Sequence, residues 1–285
     1  MARALVLAGG GIVGIAWETG ILRGIADEDP AIADQLRNSE VVLGTSAGST
    51  VGAQLGSALS LDELFERQIA TESCEIRPGV DIEVIGNLFL EAVLTPGATK
   101  AEKLQRIGAV AAATETVSPE TRRAVIESRL PSHQWPAHDL RITGVDIDSG
   151  ELRVFDRDSG VSLVDAVMAS CAVPGAWPVV TIDGRRYMDG GIGSSVNTIA
   201  VADCSAAVVL VPSAANSPSP FGAGTTAEID AFGARTLALY ADADAIIAFG
   251  KDPLDPASRI PAAQAGRIQG RTVVGDVERF LLDLD

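Results

Sequence analysis

The chain has little histidine, cysteine, aromatic side chain or positive charge, and each shortage excludes something. Of its 285 residues two are His and three are Cys, while Phe, Trp and Tyr together make up 4%. Cys74, Cys171 and Cys204 are odd in number, widely spaced and free of any CxxC pair, so neither a disulfide framework nor a zinc site is signalled. A reducing compartment, the cytoplasm, is the expected setting. With 22 basic against 38 acidic side chains, the formal charge is −16. Nucleic acid is not an expected partner, because phosphate binding needs a basic patch. Electrostatic docking on anionic membranes is disfavoured for the same reason. No run approaches the roughly 20 apolar residues that span a bilayer. Arg3 and the apolar residues 4–8 imitate the start of a signal peptide, but Gly9-Gly10-Gly11 interrupts them and no A-x-A site follows. A buried strand, a glycine turn and a helix are expected there instead of a cleaved leader.

Hydrophobic residues make up 47% and charged residues 21%, which suits a chain that buries a sizeable core. Apolar runs predict strands at 4–8, 41–43, 140–146, 152–156 and 206–212. Helical patterns cover 15–27, 47–57, 61–71, 100–114, 119–129, 163–169, 228–249 and 276–284. Strands alternating with helices imply an α/β fold with a largely parallel sheet and helices on both faces. The whole of 1–285 reads as one domain. Its core is expected at about 1–60 and 139–212, split by a helical insertion over 61–138. A Ser/Pro/Gly-rich loop covers 213–227, and a helical segment, 228–285, includes a proline-rich connector at 251–261.

Three glycine motifs carry the chemistry. Gly9-Gly10-Gly11-Ile12-Val13-Gly14 follows the first strand and opens a helix. Backbone amides freed by glycine, together with a helix N-terminus, make an anion site. Two uses fit: the dinucleotide fingerprint through Gly9, Gly11 and Gly14, or an oxyanion hole for acyl transfer. The dinucleotide use also wants an acidic residue ending the second strand, and that strand ends at Leu43-Gly44. Gly44-Thr45-Ser46-Ala47-Gly48 is a GxSxG elbow between strand and helix, which would expose the Ser46 hydroxyl at a sharp turn. A serine nucleophile needs a base. His133 and His138 lie in a proline-flanked connector, too early for the Ser–acid–His order, and read as ordinary loop histidines. Asp189-Gly190-Gly191 offers a carboxylate instead; alone it is equally a plain Asp-Gly turn.

In this order, these three motifs resemble those of the patatin-like phospholipase family. Ala169-Ser170-Cys171-Ala172-Val173-Pro174-Gly175-Ala176-Trp177-Pro178 is similar to the family's ASxAxPxxFP segment, and Thr143-Gly144-Val145-Asp146-Ile147-Asp148-Ser149-Gly150 to the family strand leading into a turn. The likeness spans residues 4–211 and leaves the last seventy-odd residues unmatched. It implies a three-layer α/β/α fold and a serine–aspartate dyad, with Ser46 as nucleophile and Asp189 as base. The amides of Gly10, Gly11 and Ala47 would face the oxyanion, with Gly9, Gly14, Gly44, Gly48, Gly190 and Gly191 supporting the motifs. No metal or organic cofactor is implied. The substrate would be a lipid or other acyl ester, met through transient membrane contact. The family's first motif commonly has Arg or Lys before its last glycine, where this chain has Val13. A neutral ester or glyceride is therefore an alternative substrate. A catalytically silent regulatory module and a nucleotide-binding oxidoreductase are the readings from other classes. For lipid access, Val84-Ile85-Gly86-Asn87-Leu88-Phe89-Leu90 with Val93-Leu94 could line an acyl pocket, although core packing is the commoner role of such a stripe.

Overall fold

Val, Leu and Ala fill the central strands because those strands are covered on both faces and have no solvent side to leave polar. A computed structural model describes residues 2–79, 86–87, 90, 94, 96–217, 219, 221 and 224–284. The stripe Val84, Ile85, Leu88, Phe89 and Val93 lies outside the described residues. An eight-stranded sheet forms the middle layer. Strand β1 (Arg3–Leu7) pairs in parallel with β2 (Val41–Thr45) on one side and β7 (Ala206–Val211) on the other. Strand β3 (Asp139–Asp146) continues beyond β2, also in parallel. Alternate residues of β1 face opposite cores: Leu5 and Leu7 join the cluster with Trp17 and Ile21, whereas Val6 joins the one with Val196 and Val201. The result is a three-layer α/β/α architecture with a largely parallel sheet.

Beyond β3 the sheet turns antiparallel, and this positions the site. Strand β4 (Leu152–Phe155) pairs with residues 142–145 of β3, and β6 (Arg185–Asp189) with residues 144–146. β2 occupies residues 139–143. Since β4 overlaps both others in register, it takes the opposite edge. β2 and β6 are left end to end along one edge, with Thr45 opposite Thr143 and Asp189 opposite Gly144. The short β5 (Val180–Ile182) completes a hairpin with β6.

Helix α2 (Pro30–Arg37) precedes β2, helices α3 (Ala47–Leu55), α4 (Leu61–Ile69), α5 (Lys100–Ala113) and α6 (Pro119–Arg129) lie between β2 and β3, and α7 (Leu163–Ser170) follows β4. Capping boxes at Ser60/Glu63 and Thr99/Glu102 start α4 and α5, each satisfying two amides that the first turn leaves free. Among the described residues 61–138 hold no strand. None of the described helices is long and apolar enough to cross a membrane.

The C-terminal third differs from the expected pattern. The stretch 228–249 is not one helix: α8 (Thr225–Asp230) is followed by strand β8 (Arg235–Tyr240) and helix α9 (Ala243–Phe249). Gly233, at φ +77°, breaks the helix, and Arg235–Tyr240 extends the sheet in parallel beyond β7. The final helix, α10 (Arg259–Leu282), is far longer than 276–284. Two of its glycines, Gly266 and Gly270, are close-contact points. A Cβ on Gly266 or Gly270 would lie 2.4 or 2.3 Å from the carbonyl oxygens of Trp17 or Ile21 on α1 (Gly11–Glu28). Pro261 sits in the first turn of α10, where no intrahelical amide is required.

Candidate active site

The second glycine motif folds into a strained elbow. Ser46 adopts φ 51°, ψ −109°, a region costing a non-glycine residue about 1–3 kcal/mol. Its surroundings hold it there. The Ser46 amide donates to Ser170 Oγ at 2.8 Å, and its carbonyl accepts from Ser49 Oγ at 2.6 Å and Cys171 Sγ at 3.2 Å. Only a residue without Cβ fits two positions on, since a Cβ on Gly48 would stand 2.0 Å from the Leu7 carbonyl oxygen.

Because β2 and β6 meet end to end, the side chains at their ends converge. Ser46 Oγ donates to Asp189 Oδ2 at 2.6 Å, and the Gly191 amide donates to Asp189 Oδ1 at 2.7 Å. Ser46 is 6% and Asp189 2% exposed. Burial raises the Asp189 pKa to about 6, against the Ser46 and Gly191 hydrogen bonds and the positive charge of Arg122, which hold it down. A carboxyl made more basic in this way is better able to take a proton from a hydroxyl.

The third motif is clamped by a residue that no sequence pattern marks. Asn197, in a left-handed turn at φ 48°, places Nδ2 within 2.8–3.3 Å of Thr45 Oγ1, Thr143 Oγ1 and the carbonyls of Gly190 and Ser194. It ties the end of β2 and the middle of β3 to the turn after Asp189. Its one sequence signal is generic: Asn tolerates positive φ better than most residues.

The first glycine motif is less of a loop than expected, because α1 starts at Gly11 and Gly10 is its N-cap. Gly11 has φ +66°, and a Cβ there would lie 2.6 Å from the Pro253 carbonyl oxygen. The amides of Gly10, Gly11, Ile12 and Ala47 make no hydrogen bond among the described residues, whereas Val13 donates to the Pro253 carbonyl and Gly14 to that of Gly10. A cavity of about 10 Å³ lies beside Ser46, lined by Gly11, Ile12, Ala47, Arg122, Cys171 and Trp177 among others. Gly10 does not line it; Ile12, which the motifs did not single out, does. Two helix N-termini, those of α1 and α3, therefore face one space of oxygen-atom size.

The histidines stand elsewhere. His133 Nε2 is 3.2 Å from the Glu127 carbonyl, and His138 packs at Gly56, just past the far end of α3 from Ser46. That separation is roughly 13 Å along a helix of this length. No cluster of three or more His, Cys, Asp or Glu side chains able to hold a metal ion occurs among the described residues. The segment 169–178 forms the platform under the elbow: besides Ser170 and Cys171, the Ala172 carbonyl receives the Asp189 amide at 2.9 Å.

The profile of the family described as patatin-like phospholipase matches residues 5–202. Among solved structures, VipD from Legionella pneumophila is similar with a TM-score of 0.49 and 12% identity, over 96% of this chain and 67% of that one. The type III effector protein ExoU is similar with a TM-score of 0.41 and 17% identity. The alignment covers 97% of this chain, which spans about half of ExoU, 53%. No curated protein matches the chain significantly. With most of its length, including all three glycine motifs, inside the matched region, the chain belongs to the patatin-like phospholipase family.

Proposed function

We propose that the chain hydrolyses acyl esters of lipids through an acyl-serine intermediate, with Ser46 as nucleophile and Asp189 as the single general base. The observation that carries this reading is the 2.6 Å hydrogen bond from Ser46 Oγ to Asp189 at the tip of a strained elbow. Asp189 takes the hydroxyl proton as Oγ bonds to the acyl carbon. The carbonyl oxygen becomes an oxyanion facing the free amides of Gly11, Ile12 and Ala47. As the tetrahedral intermediate collapses, the alcohol leaves with the proton from Asp189. Water then loses a proton to Asp189 and attacks the acyl-serine, and collapse returns that proton to Ser46 and frees the fatty acid.

A second cavity of about 440 Å³ shares Ile12, Ile15 and Arg129 with the small one. Its lining includes Gln54, Arg67, Ser73 and Arg259, which suits the polar end of a substrate. With a charge of −16, adsorption to a lipid surface would be hydrophobic. The test is a panel of short and long p-nitrophenyl esters alongside phospholipid vesicles, with Ser46→Ala as the control. The expected result is turnover by the native chain and none by the variant. A folded native protein with no turnover on any substrate would favour the silent-module reading, and turnover surviving in Ser46→Ala would overturn the assignment of the nucleophile.

A further inference from the structure

Val13 leaves the glycine motif without the basic residue the family commonly has there, and it is itself buried, 1% exposed. The cavity beside Ser46 nevertheless has a cation on its wall. Arg122, from α6, lines the same small space as Ser46, Gly11 and Ala47 while only 2% exposed. Its guanidinium lies over the Trp177 ring at 4.0 Å from the centroid. Nη2 reaches the Cys171 carbonyl at 3.5 Å, the outer limit of a hydrogen bond, and Nε and Nη1 have no partner among the described residues.

Arg129, one heptad further along the helix, shows how a structural arginine is treated at this depth. Both of its outward nitrogens bond Glu75 at 2.7 Å. A buried charge without such pairing is strongly disfavoured. Asp189 and Glu75 act on Arg122 through space, and Arg129 repels it. Burial presses the Arg122 pKa down to about 9, so the group stays cationic at neutral pH.

We propose that Arg122 is the cation of the oxyanion site: it opposes the negative charge that develops on the substrate oxygen, in place of the basic side chain missing at Val13. This rests on the Ser46–Asp189 reading. The size of the cavity sets the target. A space of about 10 Å³ is the size of one oxygen atom. The charge then serves the acyl carbonyl common to all ester substrates, neutral ones included, and does not select a head group.

The test compares native protein, Arg122→Met and Arg122→Lys on a short neutral p-nitrophenyl ester. Reactive sites are counted by end-point fluorophosphonate labelling, so misfolded molecules drop out of the rate. Inhibition by an alkyl trifluoromethyl ketone, whose serine adduct carries an oxyanion, is the second readout. Arg122→Met should acylate about 10- to 100-fold more slowly per labelled site, less than the loss of a direct donor, with KM within about twofold. Its affinity for the ketone should fall in parallel, and Arg122→Lys should recover part of both. Acylation by Arg122→Met within about twofold of native, or slower acylation with unchanged ketone affinity, would overturn the proposal. If Arg122→Met fails to fold, Arg122→Lys decides: retained ketone affinity supports the proposal, and a loss above about 100-fold contradicts it. Native protein that never labels at Ser46 would defeat the hydrolase reading and this inference together, whereas a labelled native enzyme with an unimpaired Arg122→Met defeats this inference alone.

Discussion

Replacing Asp189 by Asn should abolish turnover and, at the same time, make the protein more stable. The carboxyl is 2% exposed, and its pKa rises from 3.8 to about 6 on folding, with burial as the leading cause. Below both values the group is neutral in the folded and unfolded chain alike. As the pH climbs between them, the unfolded chain ionises first, so the folded state loses ground. Above the folded value the loss is constant, and 2.2 pK units at 1.36 kcal/mol each give about 3 kcal/mol. At pH 5 the same linkage gives about half of that. Asn is neutral throughout: its Oδ1 can accept from the Gly191 amide and its Nδ2 can donate to Ser46 Oγ, so both contacts are kept, the second with its direction reversed. Urea unfolding at pH 8 and at pH 5 checks the reasoning. The variant should exceed the native chain by about 3 kcal/mol at pH 8 and by about half as much at pH 5, with esterase activity down at least about a thousandfold. A variant less stable than native at pH 8, or a difference independent of pH, would refute the burial argument.

Further consequences can be measured separately. Because the base must be ionised, kcat/KM for a neutral ester should rise with pH through about 6 and level off above 7; a profile flat from pH 5 to 8 would remove Asp189 from the role. Joint replacement of His133 and His138 by Gln should leave esterase activity within about twofold, since neither reaches Ser46; a loss of two orders of magnitude would revive a histidine base. Gly48→Ala forces a Cβ against the Leu7 carbonyl, and circular dichroism melting should show loss of the native transition or destabilisation by more than about 3 kcal/mol. An unchanged melting temperature there would mean that the elbow is far looser than described.

The parts of this molecule that were legible in its sequence are those where backbone sterics leave one solution. Gly44 and Gly48 bracket Ser46 because the elbow crowds both positions, and the apolar runs of β1, β2 and β7 stand out because both sheet faces are covered. Less legible were places where tertiary contact reverses a local signal. Arg235-Thr236-Leu237-Ala238-Leu239-Tyr240 has helix-compatible residues and became a strand through pairing with β7. The start of α10 was missed as well: Gly266 and Gly270, poor helix formers by propensity, are held in the helix by close contact with α1. Arg122 is marked by no motif, although it shares a helical face with Val125, Ile126 and Arg129, all buried, while Arg123 points outward to Asp165. Asn197 lies in no motif at all, because its role depends on four acceptors brought together from separate segments.

The central claim is that the hydroxyl of Ser46 is activated by one carboxylate. Its most direct measurement is labelling of the folded chain with a fluorophosphonate, followed by peptide mass spectrometry on native protein and Asp189→Asn. The account predicts a single phosphonylated residue, Ser46, in the native chain, and labelling at least about a hundredfold slower in the variant. A label on another residue, none on folded native protein, or equal rates in both would contradict it.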